Sequence, residues 1–165
     1  MSEEALRVLT VEGPVQAEIM VLVLAADGAS LLTGPCGPEP WYVEVAQGAD
    51  PMAAVADIVR TNLGEPTVLH STSWRQSRGG VVLTFVAVMA DDRVRGLAAA
   101  PVPRAALARG DATSAPREIG SGPVIEHGLR HLAWLVKDDP AVADALPGAW
   151  HDVLRGYVPE PFRHL

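Results

Sequence analysis

The sequence is poor in residues that support several common kinds of protein site. It holds one cysteine among 165 residues, Cys36, which lies in the segment GPCGPEP with no second thiol in the chain. A disulfide within the sequence is therefore impossible, and a thiolate metal site lacks its second sulfur ligand. A single free thiol is typical of a reducing compartment, and we expect a cytoplasmic protein.

Basic residues and long apolar runs are also scarce. Lys and Arg number 13 against 20 Asp and Glu, giving a formal net charge of −7 at pH 7. Such a chain lacks a broad positive field that attracts a nucleic-acid backbone, so we expect no nucleic-acid partner. The apolar run from residue 19 to residue 26 is far shorter than a membrane span, so we expect no membrane partner.

Motifs that would identify a catalytic chemistry are missing too. No GxGxxG or GxxxxGK[ST] loop is present, which removes the usual dinucleotide and phosphate loops. Serines follow His70 closely, but no GxSxG turn frames them, so a serine hydrolase is not predicted. His127 and His131 have a spacing that places two imidazoles on one helix face, yet no HExxH pattern surrounds them. We interpret them as ordinary histidines and predict no metal and no cofactor.

What the sequence does contain is enough apolar residues for a core. Hydrophobic residues make up 48% of the chain and charged residues 20%, a composition typical of globular proteins. A length of 165 residues suits one domain, so we assign residues 1–165 to a single domain.

Strand signals dominate the first half of the chain. The apolar run AEIMVLVLAA (17–26) is followed by Asp27 and Gly28, a dipeptide that favours a hairpin, and then by ASLLT. WYVEVA (41–46) alternates between apolar and polar residues, which predicts a strand with one buried face. PTVLHSTSW (66–74) and VVLTFVAVM (81–89), joined by RQSRGG, predict a further hairpin.

A helix is predicted between the third strand and this hairpin. Asp50 suits the N-cap, Pro51 the first helical position and Gly64 the C-terminal stop. Apolar residues between them recur at helical spacing and predict one core-facing stripe: Met52, Val55, Ala56, Val59 and Leu63.

The C-terminal part predicts terminal helices within residues 124–157. The first is amphipathic from Val124 to Lys137 and ends before Asp139 and Pro140. The preceding segment, residues 95–123, is rich in Ala, Pro, Gly and Ser and predicts a long connection with at most a short helix at 103–108. The whole order predicts an α+β fold with a mixed β-sheet sandwiched by helices.

Three segments in this order resemble the Nudix family: AEIMVLVLAADGASLLT, WYVEVAQGADPMAAVADIVRTNLG and GGVVLTFVAVMADD. In that family a strand pair and a third strand lead into a loop and helix that carry the Nudix box, followed by a hairpin and a C-terminal helix. The resemblance covers roughly residues 15–137. It implies a Nudix-like fold.

The box itself is degenerate in this sequence. The family pattern has a glycine, a glutamate six residues later, and an Arg-Glu-aliphatic-x-Glu-Glu-x-Gly run. With Gly64 as the last glycine, only the aliphatic position also fits, and the remaining positions hold Val43, Ala49, Asp57, Ile58, Thr61 and Asn62. Carboxylates at i, i+3 and i+4 share a helix face and hold Mg²⁺ against a pyrophosphate. Ile58, Thr61 and Asn62 stand at those positions and supply no carboxylate.

These substitutions favour a non-catalytic module, with no catalytic residues, that binds a small phosphorylated, nucleotide-like ligand or another protein. In the resembled family the substrate lies beside the box helix, which implies ligand contacts at Trp41, Glu44, Asp57, Trp74, Arg75 and Arg78. For Asp57 the alternative is a solvated helix face shared with Arg60, and for Trp74 it is packing under a turn. The alternative function is a metal-dependent pyrophosphohydrolase whose acids are Glu44, Asp57 and Glu65.

Aromatic residues are concentrated in the last quarter of the chain: Trp134, Trp150, Tyr157 and Phe162. They fit either packing of the terminal helices on the sheet or a subunit interface, where aromatic residues are enriched. Because homodimers are common, we expect a homo-oligomer.

Overall fold

A computed structural model describes residues 13–26, 28–32, 40–77, 79–90, 94, 96–107 and 119–159. Its elements, in chain order, are β1 (Val15–Ala25), β2 (Gly28–Leu32), β3 (Trp41–Val45), α1 (Pro51–Leu63), β4 (Val68–Ser77), β5 (Gly80–Val88), β6 (Ala99–Pro101), α2 (Ser121–Asp138), α3 (Pro140–Ala145) and α4 (Gly148–Leu154).

The strands form one sheet in which β1 is central. The order is β4-β5-β1-β2-β6, and β3 also pairs with β1. β1 runs parallel to β5 from the pair Val15 and Val81 onward, while its other edge pairs antiparallel first with β3 and then with β2. The mixed sheet predicted from the sequence is confirmed.

Helices cover both faces of this sheet. Alternate β1 residues such as Ile19 and Val21 pack with Val55 and Val59 of α1, and we call this side the α1 face. The intervening Met20 and Leu22 pack with α2 on the opposite side, the α2 face. The predicted α+β fold with a sandwiched sheet is therefore confirmed.

Helix α1 begins and ends where its capping residues predict. The Asp50 carboxylate accepts a hydrogen bond from the Met52 N–H at 2.9 Å, and Gly64, at φ 89°, donates its N–H to the Arg60 carbonyl. The predicted stripe is buried except for Met52, which is 36% exposed. Met52 was assigned wrongly because it lies in the first turn of the helix, where the neighbouring Ala53 is exposed as well.

Helix α2 approaches the sheet closely at a glycine. An ideal Cβ placed on Gly128 would lie 2.5 Å from Met20 Cε and 3.1 Å from Val86 Cγ2, so a larger side chain would force these atoms aside. The helix is longer than predicted, starting at Ser121, and it ends before Asp139, which caps α3. Trp150 and Tyr157 are buried in the same α2-face core, so both serve packing within the chain. Phe162 lies outside the described residues.

The connection before α2 differs from its prediction. Ala99–Pro101 form strand β6 on the edge of β2, and the described residues 103–107 contain no helix. The sequence allowed at most a short helix at 103–108, and in the described residues the Ala105 N–H donates instead to a buried carboxylate of α2, Glu126. No helix in the described part of the chain is long and apolar enough to cross a membrane. The assignment of residues 1–165 to one domain stays a prediction.

Replacing Val59 with Asp tests the buried stripe of α1. Val59 is fully buried, so a carboxylate there loses its hydration without a partner, and we expect the free energy of unfolding to fall by roughly 3–5 kcal/mol. The matched control is Thr61→Asp on the exposed side of the same helix, which should change it by about 0.5 kcal/mol or less. Urea unfolding measures both, and equal midpoints for the two variants would contradict the assignment.

Candidate functional site

The predicted ligand residues are divided between the two faces of the sheet. Trp41 pairs with Ile19 and packs on the α1 face, and Trp74 pairs with Leu83 of the same face. Glu44 pairs with Gln16, which alternates with the α1-face residues of β1, so Glu44 belongs to the α2 face.

The remaining predicted residues do not complete one pocket with these. Arg75 belongs to the α2 face, where its guanidinium contacts Glu18. Asp57 lies on the exposed side of α1. Arg78 lies outside the described residues. The structure thus keeps Trp41, Trp74 and Asp57 on the side of α1 and places Glu44 and Arg75 behind the sheet.

None of the three box positions of α1 holds an acidic residue. The Ile58 side chain is partly buried against the α1-face core. The Asn62 amide nitrogen donates to the Ile58 carbonyl at 2.8 Å, so its polar group is used within the helix. Thr61 is exposed. These three positions therefore offer only neutral oxygen atoms to a cation.

The acids proposed for a rearranged hydrolase site do not all lie on one side of the sheet. Glu65 forms a two-pronged ion pair with Arg60, with nitrogen–oxygen distances of 2.7 and 3.0 Å. Asp57 is exposed on α1, and Glu44 lies on the other sheet face. Among the described residues, no group of three or more His, Cys, Asp or Glu side chains is placed to hold a metal ion.

A buried carboxylate stands at the centre of the α2 face. Glu18 of β1 is fully buried and lies opposite Tyr42 of β3 and Thr84 of β5. It accepts hydrogen bonds from the Arg75 guanidinium at 2.7 and 3.0 Å, from the Tyr42 hydroxyl at 2.7 Å and from the Thr84 hydroxyl at 3.0 Å. We call these four residues the Glu18 cluster.

The Glu18 cluster was missed by the sequence analysis, although one signal was present. Glu18 is the single acid inside the apolar run 17–26, and an acid in a buried strand requires a partner. Its partner Arg75 lies 57 residues away. Arg75 was predicted to bind an anionic ligand, but its two terminal nitrogens are already held by Glu18. The guanidinium is thereby fixed against the sheet, with 17% of its side chain exposed.

A second buried carboxylate, Glu126, joins α2 to the segment that precedes it. It accepts from the Arg104 guanidinium at 2.9 and 3.0 Å and from Arg130 at 3.0 Å. Arg104 also donates to the Gly156 carbonyl at 2.7 Å and stacks on the Tyr157 ring. Burial opposes ionisation of Glu126, but the hydrogen bonds from both arginines outweigh it and lower the pKa of that carboxyl.

The described residues also form a shallow cleft remote from the box positions. Its volume is about 630 Å³, and it lies between the end of β1 and α4. Leu24 and Gly28 line one side and Ala149 and Val153 the other, with Asp152 as its only acid. Asp152 already pairs with Arg155, so this cleft shows no charge arrangement for a phosphate.

Comparisons with known proteins identify the fold. No protein-family model and no curated protein matches the chain. The structure is similar to that of Shewanella oneidensis NrtR, with a TM-score of 0.52 and 11% identity over 88% of this chain and 79% of NrtR. It is also similar to the same protein complexed with a 27mer DNA, with a TM-score of 0.50 and 11% identity over 87% of this chain and 77% of that chain. NrtR has a Nudix-like fold, so the predicted Nudix-like fold is confirmed.

The expectation that excluded nucleic acid is wrong. It rested on the net charge of −7, but a chain with a similar fold is solved in complex with DNA. Net charge sums over all residues, whereas a nucleic-acid backbone responds to the cations that one local surface presents.

Removing Arg75 tests the Glu18 cluster. In Arg75→Met the fully buried Glu18 carboxylate loses its charged partner, and we expect the free energy of unfolding to fall by roughly 3–5 kcal/mol. Arg60→Met is the control, because it removes an exposed ion pair that solvent screens and should leave the unfolding midpoint nearly unchanged. The double variant Glu18→Leu/Arg75→Met should recover most of the loss. Equal unfolding midpoints for Arg75→Met and Arg60→Met would refute this role.

Glu126 predicts a specific dependence of stability on pH. Its folded pKa lies below the unfolded value, so its stabilising contribution is present above the unfolded pKa, near 4.5, and is lost as pH falls through the folded pKa. We expect the free energy of unfolding of Glu126→Gln to fall less steeply than that of the wild type below about pH 4.5. Unfolding curves collected at several pH values measure the two slopes, and parallel slopes would contradict the assignment.

Proposed function

We propose that this chain is a non-catalytic Nudix-fold module that binds a small phosphorylated, nucleotide-like ligand and acts as a sensor of it. The observation that carries the proposal is α1, which has the place of a Nudix box helix but a single acid, Asp57. A module that binds without turnover has the chemistry that a regulator needs.

The argument against hydrolysis is electrostatic. Cleavage of a phosphoanhydride needs several carboxylates that hold a metal ion against the developing phosphate charge. Ile58, Thr61 and Asn62 occupy those positions, and loss of even one preorganised group commonly lowers a rate by about 100- to 1000-fold. The rival hydrolase needs Glu44, Asp57 and Glu65 to converge, but Glu44 lies on the α2 face whereas Asp57 lies on α1, which covers the opposite face.

The ligand is proposed to lie on the α1 face, beside α1 and the neighbouring strands. Trp74 is 68% exposed there, which leaves a ring face for stacking by a base. The buried indole N–H of Trp41 has no hydrogen-bond acceptor among the described residues. Because buried donors are normally satisfied, an acceptor atom of the ligand is a suitable partner for it. Asp57 is the acid nearest to this surface along α1.

The predicted residues behind the sheet take a different part in this proposal. Arg75 supports the fold through Glu18, and Glu44 lies on the same α2 face, so neither contacts a ligand that lies beside α1. The similarity to NrtR, which is solved with DNA, makes regulation the natural use of such a sensor. Self-association stays a prediction of the sequence, and light scattering of the full chain over a concentration series measures it.

Incubation of the pure protein with Mg²⁺ or Mn²⁺ and a panel of nucleoside diphosphate derivatives tests the proposal. We expect phosphate release below about 0.1 per second, since ordinary enzymes turn over at about 1 to 1000 per second. Calorimetry with the same panel should show saturable binding by at least one member. Trp74→Ala should weaken that binding by about 5- to 150-fold, corresponding to about 1–3 kcal/mol of stacking.

Val158→Ala provides the matched control, because Val158 is also an exposed apolar side chain but directly follows Tyr157 of the α2-face core. Its affinity should equal that of the wild type. Turnover above about 0.1 per second that disappears in Asp57→Ala would favour the hydrolase instead. Absence of binding by every panel member would refute the ligand class.

A further inference from the structure

Three histidines meet where α2 crosses the outer strand of the described sheet, β4. The His70 ring of β4 and the His131 ring of α2 are 5.0 Å apart at their centroids, and their Nε2 atoms are 3.1 Å apart. His127, one turn earlier on α2, has its ring centroid 6.3 Å from that of His131. None of these residues belongs to the proposed ligand surface.

The distance between the two Nε2 atoms restricts how many protons the rings can carry. A neutral imidazole has one N–H donor and one bare acceptor nitrogen, whereas an imidazolium has two donors. At 3.1 Å one Nε2 must donate and the other must accept. A second neutral ring can accept from an imidazolium, but two imidazoliums direct N–H groups at each other. The contact therefore tolerates at most one charged ring.

The pair is flanked by aromatic and apolar side chains. His131 is only 2% exposed, and its ring meets the edge of Trp134. On β5 the residue that pairs with His70 is Val86, which is apolar. His127 adjoins His131, and Asp139 attracts the positive charge of His70, so these two titratable groups act on the charge of the pair in opposite directions. Burial lowers the pKa of His70, and the opposing attraction of Asp139 does not cancel this effect.

We propose that His70 and His131 form a proton-sensitive contact that holds α2 against β4 at neutral pH and is lost when both rings become charged. Loss of the contact separates α2 from the outer strand of the sheet. The device is independent of the proposed ligand-binding function, because it requires no ligand and uses other residues.

The direction of the pH effect follows from linkage. An unfolded histidine takes up its proton near pH 6.5, whereas the folded pair resists the second proton. The unfolded chain therefore binds more protons below about pH 6.5, and the stability of the folded state falls as pH drops from there towards the folded pKa. For each additional proton that the unfolded state binds, the unfolding constant rises tenfold for every unit by which the pH falls.

The matched variants are His70→Gln and His151→Gln. A glutamine at position 70 can donate to or accept from His131 whatever the charge of that ring, so the contact no longer depends on two titrating groups. His151 lies on α4 and contacts the carbonyls of Ala143 and Leu146, and a glutamine amide can still donate to them. The His151→Gln variant thus replaces one histidine and leaves the His70–His131 contact intact.

Unfolding constants are measured between pH 7.5 and 5 for the full chain and both variants. We expect the wild type and His151→Gln to lose stability more steeply than His70→Gln, with a difference in unfolding constant that approaches tenfold per pH unit below about pH 6.5. Nuclear magnetic resonance of the wild-type imidazole nitrogens should show opposite tautomers at Nε2 of His70 and His131 at pH 7.5. The spectra need no variant, so they decide the matter even if His70→Gln fails to fold.

Two results would overturn the proposal. One is a slope for His70→Gln equal to that of the wild type. The other is a wild-type protein in which both rings are charged at pH 5 while the amide resonances of residues 68–77 and 121–138 stay unchanged.

Discussion

The hydrogen bonding of β1 along both edges is the constraint on which the rest of the structure depends. One edge pairs with β5 in parallel over eight register pairs, from Val15 to Leu22. The other edge is shared, because β3 pairs as far as Ile19 and β2 begins at Leu22. A strand held in this way has no freedom of register, since a shift by one residue would exchange its two faces. The α1 face and the α2 face are both set by this strand.

The same strand explains why a carboxylate can lie inside the sheet. Glu18 points to the α2 face, where the register brings Tyr42 and Thr84 beside it and Arg75 completes the set. On α2 the buried Glu126 carboxylate is likewise neutralised, by Arg104 from the preceding segment and by Arg130 from the helix itself. Buried ion pairs contribute little net stability compared with apolar packing, because desolvation opposes their attraction. Their effect here is to fix which strand and which loop meet, and Arg104 extends that effect to Gly156, which follows α4.

Local signals predicted the elements well, and nonlocal contacts limited the rest. The caps of α1 could be read from Asp50, Pro51 and Gly64, because capping depends on neighbours within a few residues. Strand β6 could not, because Ala99–Pro101 form a strand only through their pairing with β2. The alternation of β3 already separates Trp41 from Glu44, whereas the face that each one occupies depended on the pairing of β3 with β1. The role of Arg75 required knowledge of Glu18, and net charge gave no information about any local surface.

Gly128 is the point at which α2 packs closely on the sheet. Its bare backbone rests on Met20 and Val86, close to the middle of the helix. Glu126 lies two residues before this point and is tied to the loop at Arg104, and His131 lies three residues after it and meets β4. The two attachments lie on either side of Gly128, where the helix already touches the sheet and cannot move closer to it. The spacing between helix and sheet that the missing side chain of Gly128 allows therefore also sets how the loop at Arg104 and the outer strand β4 attach to α2.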